Sequence, residues 1–356
     1  MTLLSVQIEQ LRCIEHAELE LDAHTTLITG PNASGKTTIL EAIYVLGRGR
    51  SFRTPRLDTA VRHGHKKTRV VGTVEEASRR FVVGVESGQG ETIAHIAGEP
   101  AESLAELSTA FPVQAIDPGI HKLIEEGPIR RRRFLDWGVF HVEHGYLQAW
   151  HRFHRVLRQR NAALRQQSPD DLLDAWDREF AEAGNAIDAC RSRYFVRLRE
   201  ALQTTARVLL EDAVTIEYSR GWPLEVSIET VLAERRTLDL ARRTTTIGPH
   251  RADLDIRVAG TRAKDTVSRG QQKLLAAGLI LGQLGFHQRE QELKPTLLLD
   301  DPAAELDKKR LTRLLEAVAQ LRPQLVVTAL EQTEFDALGR PGRAFHVEQG
   351  RLSPML

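Results

Sequence analysis

The segment Gly30-Pro31-Asn32-Ala33-Ser34-Gly35-Lys36-Thr37 follows the pattern G-x-x-x-x-G-K-[ST], a spacing suited to cradling a chain of phosphates. Its glycines let backbone N–H groups turn inward, Lys36 can reach the outer phosphates, and the Thr37 hydroxyl can meet Mg2+. Thr38 continues the phosphate-contacting set into the next element. Far downstream, the apolar run Thr296-Leu297-Leu298-Leu299 ends in Asp300-Asp301. A buried parallel strand whose carboxyl end meets a metal has this form. Asp300 is expected to bind the metal, directly or through water, and Asp301 to act as general base on an attacking water. Two acids after a strand can also be ordinary solvated helix-start residues, but a phosphate loop in the same chain favours the chemical role. Lys36, Asp300 and Asp301 are therefore the catalytic candidates, with Thr37 and Asp300 as metal ligands.

A third segment, Ser268-Arg269-Gly270-Gln271-Gln272-Lys273, precedes an amphipathic helix carrying Leu274, Ala277, Leu281 and Leu284 on one face. Ser268 and Gln271 form S-x-x-Q, a capping box that needs no ligand.

These residues require strand, loop and helix in fixed order. Residues 25–29 are β-rich and run into Gly30, and Ile39, Ile43 and Leu46 then recur at helical spacing. Upstream, Leu4, Val6, Ile8 and then Ala17, Leu19, Leu21 alternate as strands do. Between 69 and 84, two β-rich runs flank Glu75-Glu76-Ala77-Ser78 and predict an antiparallel hairpin. From 119 to 210 helical pattern dominates, broken at Ser168-Pro169-Asp170 and too irregular in its heptads for a long coiled-coil arm. Strand character returns at 214–218, 296–300 and 324–328, with a helix over 270–286. The expected fold is α/β: a P-loop head with a mixed sheet and an antiparallel subdomain, built from 1–118 and 211–356, and an inserted helical lobe over 119–210.

The 356 residues suffice for an enzyme, and no apolar run is long enough to span a bilayer. The N-terminus lacks the form of a signal peptide, so a cytoplasmic protein, associated with the nucleoid when DNA-bound, is expected. Cys13 and Cys190 have no zinc-site spacing and read as buried or half-buried thiols. With 49 basic and 48 acidic residues the net charge is +1, so binding to nucleic acid must come from local patches.

The order of phosphate loop, Ser268 segment and acidic strand resembles the ABC-type ATPases. Further segments resemble the RecF family within that class: Gly49-Arg50-Ser51-Phe52-Arg53-Thr54, Gly127-Pro128 through Arg133-Phe134-Leu135-Asp136-Trp137, Arg160-Asn161-Ala162-Ala163-Leu164, Gly248-Pro249-His250-Arg251-Ala252-Asp253 and Glu305-Leu306-Asp307. The resemblance implies ATP and Mg2+ as cofactors, and Ser268, Gly270 and Gln271 as contacts to ATP held by a second protomer, giving an ATP-dependent homodimer. It implies binding to DNA at single-strand gaps and duplex junctions, recombinase loading with RecO and RecR, weak DNA-dependent ATP hydrolysis, and no membrane partner. Gln114 is a further candidate for sensing the γ-phosphate and metal, against an ordinary solvent-exposed glutamine. Ala304 stands where the family usually has Ser, and Thr328 where transporter-type ATPases carry a switch His.

Candidate DNA contacts are Arg130, Arg131, Arg132 and Arg133, and Arg50 and Arg53 beside Arg48; Lys66, Lys67 and Arg69 form another basic run. On a helix, Arg130 and Arg133 share a face that Arg131 and Arg132 do not. Aromatic content of 5% argues for backbone rather than base-stacking contact. An energy-coupling transporter subunit, a P-loop kinase or GTPase, and a scaffold that binds ATP without hydrolysing it are the other readings. No N-K-x-D guanine motif is present.

Overall fold

The computed structural model describes residues 1–304, 306–331 and 341–355, in two units: Met1–Ile120 with Leu284–Leu356, and His121–Gln283. The first unit opens with the antiparallel pair β1 (Thr2–Leu11) and β2 (Ile14–Glu20), then β3 (Thr25–Thr29) and α1 (Lys36–Arg48). Next come β4 (Thr68–Glu76), β5 (Arg79–Gly88), β6 (Glu91–Ile96), β7 (Glu99–Pro100), α2 (Leu104–Ala110) and β8 (Val113–Ile116).

The second unit contains α3 (Lys122–Glu125), α4 (Pro128–Val142), α5 (Tyr146–Gln166), α6 (Asp170–Leu210), β9 (Val214–Ser219), α7 (Ile228–Arg242), β10 (Asp253–Val258), β11 (Thr261–Arg262) and α8 (Ala263–Thr266). The helix α9 (Arg269–Gln291) begins in this unit and continues into the first after Gln283. The first unit then resumes with β12 (Thr296–Leu299), α10 (Lys308–Leu321), β13 (Leu325–Ala329), β14 (Arg343–Glu348) and β15 (Arg351–Pro354).

Two six-stranded sheets form in the first unit. One is antiparallel, in the order β2-β1-β4-β5-β6-β7; the other runs β15-β14-β3-β13-β12-β8 and is parallel except for β15. The α1 helix touches strands of both, which explains why it is buried nearly all round rather than along one stripe. Gly47 permits this approach: a Cβ there would stand 2.2 Å from the Phe111 carbonyl oxygen of the β8 side. The predicted hairpin over 69–84 is β4–β5, paired through Val74↔Phe81. The N-terminal alternation is offset by an irregularity between Leu3 and Ser5, so Leu3 rather than Leu4 is fully buried.

The second unit reaches beyond residue 210, where the helical lobe was expected to end. β9, β10 and β11 make their own antiparallel sheet, and α6 packs against β9, so 211–283 belong with the helices and not with the head. Within this unit Arg160, 1% exposed, donates to Asp177 at 2.7 Å, Asp239 at 2.8 Å and Thr245 at 2.8 Å, tying α5 to α6 and α7. The Gly248–Asp253 segment is a packing hub: Arg191 of α6 donates to the Pro249 carbonyl, and His250 lies against the rings of Phe153 and Phe180. Among the described residues no long coiled coil forms; the 41-residue α6 is paired with the much shorter α5.

Candidate nucleotide-binding site

The loop from Gly30 to Gly35 joins the C-terminal end of β3 to the N-terminus of α1. Gly30 (φ 147) and Gly35 (φ 118) take backbone conformations that L side chains rarely adopt, and a Cβ on Gly30 would meet the Val347 carbonyl at 2.2 Å. Ala33 is also left-handed, at φ 62. Pro31 accepts from the Ser34 N–H at 3.3 Å, and Ser34 in turn accepts at its carbonyl from the Gly350 N–H at 2.8 Å, so the β14–β15 turn braces the loop. Asn32 is exposed.

The side chains are arranged for an anion. Lys36 is buried, and its ammonium donates only to the carbonyls of Gly30 (2.7 Å) and Pro31 (3.1 Å); among the described residues no carboxylate pairs with it. Ser34 Oγ is buried with no hydrogen-bond partner, and α1 has no side-chain cap. A buried positive charge, an orphaned hydroxyl and open helix N–H groups fit a polyphosphate. Thr38 sits one turn in, its N–H on the Gly35 carbonyl at 3.0 Å and its hydroxyl 3.8 Å from Cys13 Sγ. Cys13 is exposed, contrary to its expected burial, because it lies in the β1–β2 turn; Cys190 is half-buried as expected.

The acidic strand meets this loop. Thr37 Oγ1 donates to Asp300 Oδ1 at 3.0 Å, and Thr328 Oγ1 donates to the same oxygen at 2.8 Å. Thr328 also accepts from the Asp301 N–H at 2.9 Å. Asp300 is buried, and burial raises its pKa, with Asp301 adding to the rise while the bonds from Thr328 and Thr37 and the charge of Arg53 oppose it. Asp301 adopts φ 43, unusual for a non-glycine, and its buried Oδ1 has no partner. Among the described residues no cluster of three or more His, Cys, Asp or Glu could hold a metal alone. The hydroxyl of Thr37 and carboxylate of Asp300 fit an ion such as Mg2+ that takes its other ligands from phosphate and water.

Gln114 is buried, not the solvent-exposed glutamine that was its alternative, but it pairs with Leu297, three residues before Asp300 on the neighbouring strand. Leu297 lies about 10 Å along β12 from Asp300.

The arrangement has counterparts among known proteins. The family description RecF/RecN/SMC N terminal domain matches residues 2–353. The chain is 39% identical over 355 residues to the DNA replication and repair protein RecF of Yersinia pestis bv. Antiqua (strain Angola), covering 99% of this chain and 98% of that protein. The chain belongs to the RecF family. RecF of Erwinia tasmaniensis is 37% identical over 356 residues. A structure of the recombination mediator protein RecF-ATP in the RecFOR pathway superimposes with a TM-score of 0.90 at 26% identity, covering 100% of this chain and 98% of that one. An Smc head domain from Pyrococcus yayanosii shares the fold at a TM-score of 0.61 and 13% identity.

Other RecF-like residues sit outside the phosphate loop. Ser268 and Gln271 do form the capping box at the start of α9: the Ser268 N–H donates to Gln271 Oε1 at 2.9 Å, and the Gln271 N–H to Ser268 Oγ at 3.4 Å. Gly270 lies in the first turn. Ala304 closes a 3-10 turn, and Glu305 lies outside the described residues. Ser51, hydrogen-bonded to the buried Glu41 of α1, accepts from the backbone of Arg53 and Thr54 and so folds the segment after Gly49 back onto the helix. Arg53 faces Glu41 at 3.4 Å and its charge reaches Asp300, so it belongs to the nucleotide site's surroundings. Arg50 is half-buried, close enough to Tyr44 and Arg48 to act on their charges.

The four-arginine run divides as helix geometry requires. Arg131 is buried, with both arms on Asp253 at 2.7 and 3.0 Å and further bonds to carbonyls of 123–126, so it cannot meet DNA; this corrects its assignment. Arg132 is half-buried and donates to the Ala252 carbonyl at 2.7 Å. Arg130 and Arg133 are exposed, Arg130 paired with Glu126.

Proposed function

We propose that this chain is an ATP-dependent DNA replication and repair protein of the RecFOR pathway, acting as a slow ATPase whose nucleotide state governs its hold on DNA. ATP lies along the Gly30–Thr38 loop with Mg2+ at Thr37 and Asp300. The observation that carries this is the buried Lys36 ammonium, unpaired by any carboxylate among the described residues, one residue from the Thr37–Asp300 hydrogen bond. Bound Mg2+ supplies charge neutralisation at the outer phosphates. Lys36 adds a fixed positive charge there, the loop N–H groups orient the polyphosphate, and the free Oδ1 of Asp301 receives a proton from water.

Two copies enclose the nucleotide, the Ser268–Gln271 segment of one closing over the phosphates of the other. Gapped or junction-bearing DNA is the target, RecR and RecO are the partners, and the cytoplasm is the compartment. The end-to-end match to repair proteins leaves nothing in favour of a transporter subunit, and no helix among the described residues is long and apolar enough to cross a membrane. ATP binding and turnover should be measured for the wild type, Lys36→Arg and Asp301→Asn, with and without gapped DNA. The reading expects turnover raised by DNA, loss of both binding and turnover in Lys36→Arg, and retained binding with turnover down about 100-fold in Asp301→Asn. Turnover that survives both substitutions contradicts it.

A further inference from the structure

The helix α5 carries five arginines and two histidines among its 21 residues and no aspartate or glutamate. Because the whole chain is nearly neutral, the remainder is net negative and this helix is a local concentration of positive charge. Two of the arginines are internally neutralised: Arg152 by Glu179 and Glu182 of α6, and Arg160 by Asp177 and Asp239. The other three, Arg155, Arg158 and Arg165, are exposed, and among the described residues no carboxylate lies within ion-pair distance of them.

Their spacing is informative. At 100° per residue His151, His154, Arg155, Arg158 and Arg165 fall in one sector, opposite the buried Phe153, Val156 and Arg160. The sector is about 21 Å long, a length of duplex that carries about a dozen phosphate charges. A solvated helix face ordinarily mixes signs, as α6 does with its acids in the first turn and elsewhere.

The stripe is widened at one end. His154 stacks on Trp150, and His250, packed on Phe153, stands beside Arg251 and the half-buried Arg132. Both carboxylate oxygens of Asp136, whose charge acts on His154, are occupied by Arg191. Arg132 and Arg251 donate to the carbonyls of Ala252 and Thr245 and form no ion pair among the described residues, although Asp253 and Asp136 lie near enough to act on the charge of Arg132.

We propose that the outward face of α5, with Arg155, Arg158 and Arg165 as its charged centre and Arg132 and Arg251 at its flank, is a binding surface for the phosphate backbone of DNA. This rests on the DNA-binding part of the function proposed above and gives it an address to which the four-arginine run contributes only Arg132. Contact is electrostatic and independent of base sequence, since the sector presents guanidinium groups and imidazoles and no exposed aromatic stacking platform.

The test is fluorescence anisotropy of a labelled gapped duplex against full-length protein with ATP, across a KCl series, for the wild type, Arg155→Gln/Arg158→Gln, and Arg207→Gln as an exposed control on α6. The double variant should bind about tenfold or more weakly near 150 mM salt, with a log–log salt slope shallower by about two, while the control matches the wild type. Its thermal midpoint and DNA-free ATP turnover should be unchanged. Wild-type affinity and slope in the double variant, or an equal loss in Arg207→Gln, overturns the assignment, as does a wild type that binds no DNA. Failure of the nucleotide reading shows separately, as DNA-free turnover that does not depend on Lys36.

Discussion

Thr328 links the two candidate carboxylates, donating to Asp300 and accepting from the backbone of Asp301. Thr328→Val should remove both bonds at nearly constant volume, costing about 1–3 kcal/mol and lowering turnover, while Thr328→Ser restores most of each. Denaturant unfolding and steady-state turnover on the same preparations check this. Asp300 supplies a pH test. Its folded pKa lies above its unfolded one, so the fold holds the proton more tightly and stability falls as pH rises through the window between the two. Asp300→Asn should therefore raise the thermal midpoint of nucleotide-free protein at pH 7.5, with the gain shrinking toward pH 4, while abolishing turnover. A midpoint that falls at neutral pH contradicts the cause given. Lys36, Thr37, Asp300 and Asp301 were legible because their spacing within short segments is itself the chemical signal. Thr328 was visible only as a departure, since its role depends on β13 lying beside β12, and strand order is not written in any local pattern.

At the scale of elements, α1 sets the position of the phosphate loop and is confined between two sheets. Gly47→Ala places a methyl against the Phe111 carbonyl and Val113, so it should destabilise the first unit by about 1–3 kcal/mol and weaken nucleotide binding together. Thermal unfolding and ATP binding read both effects. In the second unit Arg160→Leu should cost about 3–5 kcal/mol, because Asp239, fully buried, is left with its charge uncompensated. Strand and helix positions followed from periodicity, but membership did not. The β9 pattern of alternating burial says strand without saying which sheet, and 211–283 were placed in the head for that reason. The basic face of α5 was missed in favour of denser arginine runs. Counting signs helix by helix, rather than seeking consecutive charges, exposes it, because neutralisation within the fold removes Arg131 from solvent and leaves Arg155 and Arg158 there.

For the whole molecule, the candidate site residues are divided between two structural units: the phosphate loop and acidic strand in the first, Ser268, Gly270 and Gln271 in the second. Ser268 and Gln271 cap the N-terminus of α9 through hydrogen bonds to each other. On the function proposed above, near-neutral overall charge makes the hold on DNA depend on a local basic surface and weaken as salt rises. On the same proposed function, each ATP site is completed by two protomers. The most direct test is ATP turnover in mixtures of Lys36→Arg and Ser268→Arg protein, each first assayed alone across a range of concentrations. The account predicts that both are inactive alone and that the equimolar mixture regains up to about a quarter of wild-type activity, because half of randomly paired dimers carry one intact composite site. A mixture that stays inactive, or a Ser268→Arg protein that turns over ATP alone at the wild-type rate, contradicts it.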